Sequence, residues 1–122
     1  MLMETGLKEG KSYTVVALAD GTASIYFSTG GGFIGGQGIP AVKAAAQRLV
    51  EASSKFQLGM SMVSAYPLPS FGQTVFYLLS DQGVYSASAP EESLGRQRVP
   101  LSSLFYAAQE VVTQFRLSQK GK

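Results

Sequence analysis

Thr14-Val15-Val16-Ala17-Leu18-Ala19-Asp20-Gly21-Thr22-Ala23-Ser24-Ile25-Tyr26-Phe27 is the stretch that decides the fold. Two β-rich runs meet at Asp20-Gly21, and Asp-Gly between strand-forming residues is the strongest short-range signal for a β-hairpin. Strands are therefore expected at Tyr13 to Ala19 and Thr22 to Ser28. In the second, Ala23, Ile25 and Phe27 alternate with Thr22, Ser24, Tyr26 and Ser28, the period of a strand with one apolar face. The first is apolar at every position from Val15 to Ala19, which marks a central strand covered on both faces.

Sixty positions on, the pattern returns. Thr74-Val75-Phe76-Tyr77-Leu78 answers the first run and Asp81-Gln82-Gly83 answers the turn, predicting a second hairpin with strands at Gln73 to Ser80 and Val84 to Ala89. A helix follows each hairpin. Pro40 opens the first at a position where its missing N–H costs nothing, and Val42, Ala45, Ala46, Leu49, Val50 and Ser53 form its inner stripe. The second runs from about Pro100 to Leu117, with Leu101, Leu104, Ala108, Val111 and Phe115 at three- and four-residue steps. Ala45-Ala46-Gln47 recurs as Ala107-Ala108-Gln109, so the helices echo as the hairpins do.

Between the halves, Leu58, Met60 and Met62 alternate before Pro67 and Pro69. This predicts a further strand, Gly59 to Tyr66, suited to a sheet edge because proline cannot donate to a ladder. The expected fold is α+β: an antiparallel sheet of about five strands with two helices, in the order β-β-α-β-β-β-α. It forms a single domain over residues 1–122, with 1–12 and 118–122 as flexible tails.

A chain of 122 residues that is 45% hydrophobic suffices for one core. Only 15% of its residues are charged and mean hydropathy is +0.11, so apolar surface is left over for a partner, either a second copy or another protein. Ten basic against eight acidic residues, with no dense basic block, argue against nucleic acid. The chain has no His and no Cys, which removes imidazole and thiolate ligands, cysteine nucleophiles and the usual proton carrier near neutral pH. No catalytic residue, metal site or cofactor is expected. Ser102-Ser103 has no Ser-x-x-Lys spacing, and Glu91, Glu92, Arg96 and Arg98 read as a solvated charged connection. The opening residues Met1 to Glu9 are polar and mixed in charge, and no later apolar run approaches bilayer length, so a soluble cytoplasmic protein without membrane contact is expected.

Two sets of residues are candidates for function. Gly30-Gly31-Gly32-Phe33-Ile34-Gly35 satisfies G-x-G-x-x-G between a strand and a helix, and with Gly36 and Gly38 could cradle an anion or ligand on backbone amides. Against a dinucleotide site, the strand belongs to a tight hairpin and no acidic residue follows at a parallel strand end. Gly38 leads into Ile39-Pro40, not into the Lys and Ser or Thr of a phosphate loop. A connector whose tip, Phe33 and Ile34, meets another subunit is the simpler reading. The second set is Met60, Met62 and Tyr66, which with the apolar faces of the two central strands form the expected partner surface. Tyr13, Tyr26, Tyr77 and Tyr85 lack interleaved cations and read as protein contacts, not as a base-stacking platform.

From Tyr13 to Leu117 the element order resembles the longin, roadblock and profilin-like group, in which one antiparallel sheet carries helices. That resemblance implies a non-enzymatic platform that dimerises and holds small GTPases or trafficking and motility partners. The pairing of Asp20-Gly21-Thr22-Ala23-Ser24 with a helix start at Pro100-Leu101-Ser102-Ser103-Leu104-Phe105-Tyr106-Ala107 is similar to a family of small bacterial proteins, and implies no activity. The expected function is an interaction or scaffold module, homodimeric or part of a larger complex. The alternative is a small-molecule or nucleotide-binding domain using the loop from Gly30 to Gly38.

Overall fold

A computed structural model describes residues 1–35 and 38–120, with side chains up to residue 118. Gly36 therefore lies outside the described residues. The strands are β1 (Leu2–Gly6), β2 (Ser12–Ala17), β3 (Ala23–Phe27), β4 (Gly32–Phe33), β5 (Ser61–Val63), β6 (Gln73–Ser80) and β7 (Gly83–Pro90). The helices are α1 (Pro40–Ser54), α2 (Glu91–Gly95) and α3 (Ser102–Lys120). The α+β class holds, with three α-helices among the described residues in place of two and an antiparallel sheet of seven strands in place of about five, in the spatial order β4-β3-β2-β1-β6-β7-β5. Along the chain the elements run β-β-β-β-α-β-β-β-α-α and not β-β-α-β-β-β-α.

The largest correction concerns the first residues. The stretch 1–12, expected as a flexible tail, supplies the middle strand, pairing antiparallel with β2 on one side and β6 on the other. Each hairpin thus lays its first strand against β1, which is the spatial meaning of the sequence echo. At the other end, α3 continues through Lys120, past the expected start of a tail at 118. The first hairpin is looser than expected: β2 stops at Ala17, the Leu18 amide donates to the Thr22 carbonyl, and Asp20 Oδ1 accepts from the Thr22 amide at 2.8 Å. That last bond holds the Asp20 carboxyl below the usual carboxylate range. The third expected strand shortens to β5, and it does form an edge.

Strand pairing sorts the side chains into two faces. On the inner face Ile25, Val15, Met3, Phe76 and Ala87 stand in one row, since each is the cross-strand partner of the next. Val42, Ala45, Ala46 and Leu49 of α1 and Leu104, Ala108, Val111 and Phe115 of α3 close over these strands in a single core. Their spacing is the three- and four-residue stripe read from the sequence. The charged connection after β7 folds as α2, anchored by fully buried Leu94, with Glu92 and Arg96 paired at 3.5 Å on its exposed side.

Between β1 and β6 the inner face contains two polar side chains, Thr5 and Thr74, both fully buried, whose hydroxyls bond at 2.9 Å. Each satisfies the other. Thr74→Val leaves the Thr5 hydroxyl buried without that partner, and a loss of about 1–3 kcal/mol is expected in urea denaturation. The double variant Thr5→Val/Thr74→Val recovers most of it, because no orphaned hydroxyl remains.

Candidate functional site

The other face of the sheet is where the sequence reading and the structure part. Strands apolar on both sides were expected to be covered on both sides, but α1 and α3 share one face. Across the opposite face, pairing sets Tyr26, Thr14, Glu4, Val75 and Ser88 in one row and Ser24, Val16, Leu2, Tyr77 and Ser86 in the next. Leu79, Val84 and Val63 make a third, shorter row. The middle of this face thus joins apolar Val16, Leu2, Tyr77 and Val75 to Glu4 and Thr14, and its flanks are largely hydroxyl-bearing.

The segment between β5 and β6 passes over part of this surface. Tyr66 meets Tyr77 edge to face, with ring centroids 5.6 Å apart, and the Gly6 backbone bridges to Phe71. Gly6 permits that close approach, because a Cβ there would run into the Pro69 and Ser70 carbonyls. Between this segment and the strands lies a groove of about 480 Å³, lined by Leu2, Glu4, Thr14, Tyr66, Leu68, Tyr77, Leu79 and Val84. Leu68, Leu79 and Tyr66 remain 71%, 61% and 58% exposed. Large apolar side chains clustered at this exposure mark contact surfaces.

Glu4 brings the one charged side chain to the groove lining, where Thr14 Oγ1 donates to its Oε2 at 3.2 Å. Tyr77, buried on β6, has its phenol pushed above the ordinary tyrosine value, first by burial and then by the Glu4 carboxylate and Tyr66. The folded state therefore favours the neutral phenol. Below the unfolded value near 10.0 both states hold the proton; as pH rises from there through the folded value, the unfolded state ionises first and stability falls. Tyr77→Phe is expected to flatten that alkaline slope, measured as the urea midpoint against pH.

Of the residues expected to meet a partner, Met62 and Tyr66 are exposed, but Met62 shares the helix-side row with Tyr85, beyond the groove. Met60 is buried, packed beside Phe56, Ala87, Ala89 and Leu101, so it belongs to the core. Phe33 is no exposed tip either: it pairs with Ile25 in β4 and stacks on Phe115 at 5.4 Å. Ile34 is exposed. The tyrosines divide between faces, with Tyr26 and Tyr77 in the outer rows, Tyr85 opposite Leu78, and Tyr13 accepting from Gln109 Nε2 at 2.7 Å.

The glycine-rich segment builds the sheet margin. Gly32 pairs with Tyr26, and a side chain there would strike the Ile25 carbonyl at a φ of 147°, so this glycine serves strand pairing. Gly30, Gly31, Gly35 and Gly38 have open space where a side chain would begin. Among the described residues no group of three or more Asp or Glu side chains is placed to hold a metal, and no helix is long and apolar enough to cross a membrane. Sequence reasoning missed Leu2 and Glu4, because Leu2-Met3-Glu4-Thr5 shows no apolar–polar alternation that would mark a strand. No family model, no curated protein and no solved structure matches the chain.

Proposed function

We propose that the chain is a non-enzymatic interaction module that holds another protein chain on the helix-free face of its sheet. One observation carries this reading: Leu2, Val16, Val75, Tyr77, Leu79 and Val84 stand on the face of the sheet that α1 and α3 leave open. An apolar face left open on a sheet is a lasting cost in water unless something covers it. The element order expected from the sequence, which resembles that of the longin, roadblock and profilin-like group, favours the same role by analogy alone, as a platform for partners.

Site-specific photo-cross-linking tests it. A photoreactive side chain at Leu68, on the groove rim, is expected to trap a discrete adduct in cells; one at Gln47, exposed on α1, is not. Adducts at neither position, or equally at both, would end the reading. The mass of the adduct separates a second copy of the chain from a different protein.

A further inference from the structure

The geometry points to a partner of definite chemistry: a protein segment presenting lysine or arginine flanked by apolar side chains, with Glu4 receiving the cation. This rests on the reading of the helix-free face as the working surface, and goes further by naming what that surface selects.

Glu4 sits on β1, the middle strand, with Thr14 and Val75 as its cross-strand neighbours and Leu2 two residues before it on the same face. It is half-buried, and the Thr14 hydroxyl is its side-chain hydrogen-bond partner. The ion pairs among the described residues are Lys11 with Glu9 and Arg96 with Glu92, so Glu4 has no cation of its own there. Any partner that fills the groove takes this carboxylate further out of water. A purely apolar partner would leave a charge buried and uncompensated, which is strongly unfavourable. A second copy docked about a two-fold axis through the groove would bring two Glu4 carboxylates together, and like charges at close range oppose that arrangement.

A cation flanked by apolar side chains removes both obstacles. Its charge pairs with Glu4, its neighbours cover Leu2, Leu79 and Val84, and the rings of Tyr66 and Tyr77 add favourable electrostatics to a cation near them. The groove thus discriminates by charge at its centre and binds by apolar contact around it, the division of labour that gives interfaces specificity.

The test uses the full chain and two short fluorescein-labelled peptides, one alternating arginine with leucine and one with citrulline in place of every arginine. Fluorescence anisotropy should show the arginine peptide binding about tenfold more tightly than its neutral counterpart. Glu4→Gln keeps a group able to bond Thr14, and should bring the two affinities together; its thermal melt, followed by circular dichroism, verifies that it folds. Equal affinities on the wild-type chain, or a preference for arginine that survives Glu4→Gln, overturn the inference. If both peptides bind equally and Leu79→Asp weakens both, the face is a working surface without charge selection, and the inference alone fails. If neither peptide binds and position 68 traps nothing, both readings fail. A wild-type dimer in sedimentation that Leu79→Asp dissociates and Glu4→Gln tightens identifies a second copy as the occupant and also overturns the inference.

Discussion

A chain lacking residues 1–6 is expected to show no cooperative unfolding transition in urea, and to lose most of its far-ultraviolet strand signal. Those residues hold the two halves of the sheet together, since β2 and β6 meet only through β1. Removing them strips both strands of the ladder on one side and exposes two long edges with unpaired N–H and C=O groups. It also takes fully buried Met3 and Thr5 out of the interior and leaves the Thr74 hydroxyl alone. A domain of this size has about 5–15 kcal/mol of net stability, and losing a central strand exceeds that reserve. Adding a synthetic peptide of residues 1–7 should restore a transition, because the missing piece pairs with both remaining halves. A truncated chain that still melts cooperatively would mean that the first residues are dispensable, as their polarity suggests.

The strand escaped the sequence reading for a physical reason. Leu2-Met3-Glu4-Thr5-Gly6 has little intrinsic β-propensity, and its conformation comes from partners on both sides, neither of which is local in sequence. The elements read closely are those whose signals are local. The expected strand from Gln73 to Ser80 coincides with β6, and Pro40 opens α1 as its fixed φ suits. The two-residue β4 and five-residue α2 are too short for any period to register.

The candidate surface was legible in half. Apolarity on both sides of Val15 to Leu18 and Val75 to Leu79 is plain in the chain, as is the need to cover it. Which side the helices take is not, because a hairpin offers two equivalent faces until α1 and α3 pack against one of them. Met60 and Met62 show the same limit: both are apolar and close in sequence, yet Met60 enters the core and Met62 stays exposed. Glu4 was hidden twice, by lying in a presumed tail and by being the kind of residue that ordinarily faces water.

Phe76→Ala and Leu79→Ala, three residues apart on one strand, should give opposite results. Phe76 is fully buried between Met3 and Ala87 beneath the helices, among the largest side chains enclosed by the core. Truncating it removes most of a ring and leaves a cavity the close-packed neighbours refill only in part, so a loss of about 3–5 kcal/mol is expected in urea denaturation. Leu79 lies on the other face and is 61% exposed, so its truncation should change stability by no more than about 0.5 kcal/mol. Its effect should appear in binding, as weaker capture of any partner that covers the groove. The pair tests the register itself: a strand slipped by one residue turns every side chain to the opposite face. Leu79→Ala would then be the destabilising change and Phe76→Ala the mild one, and the assignment of a covered face and a working face would be reversed.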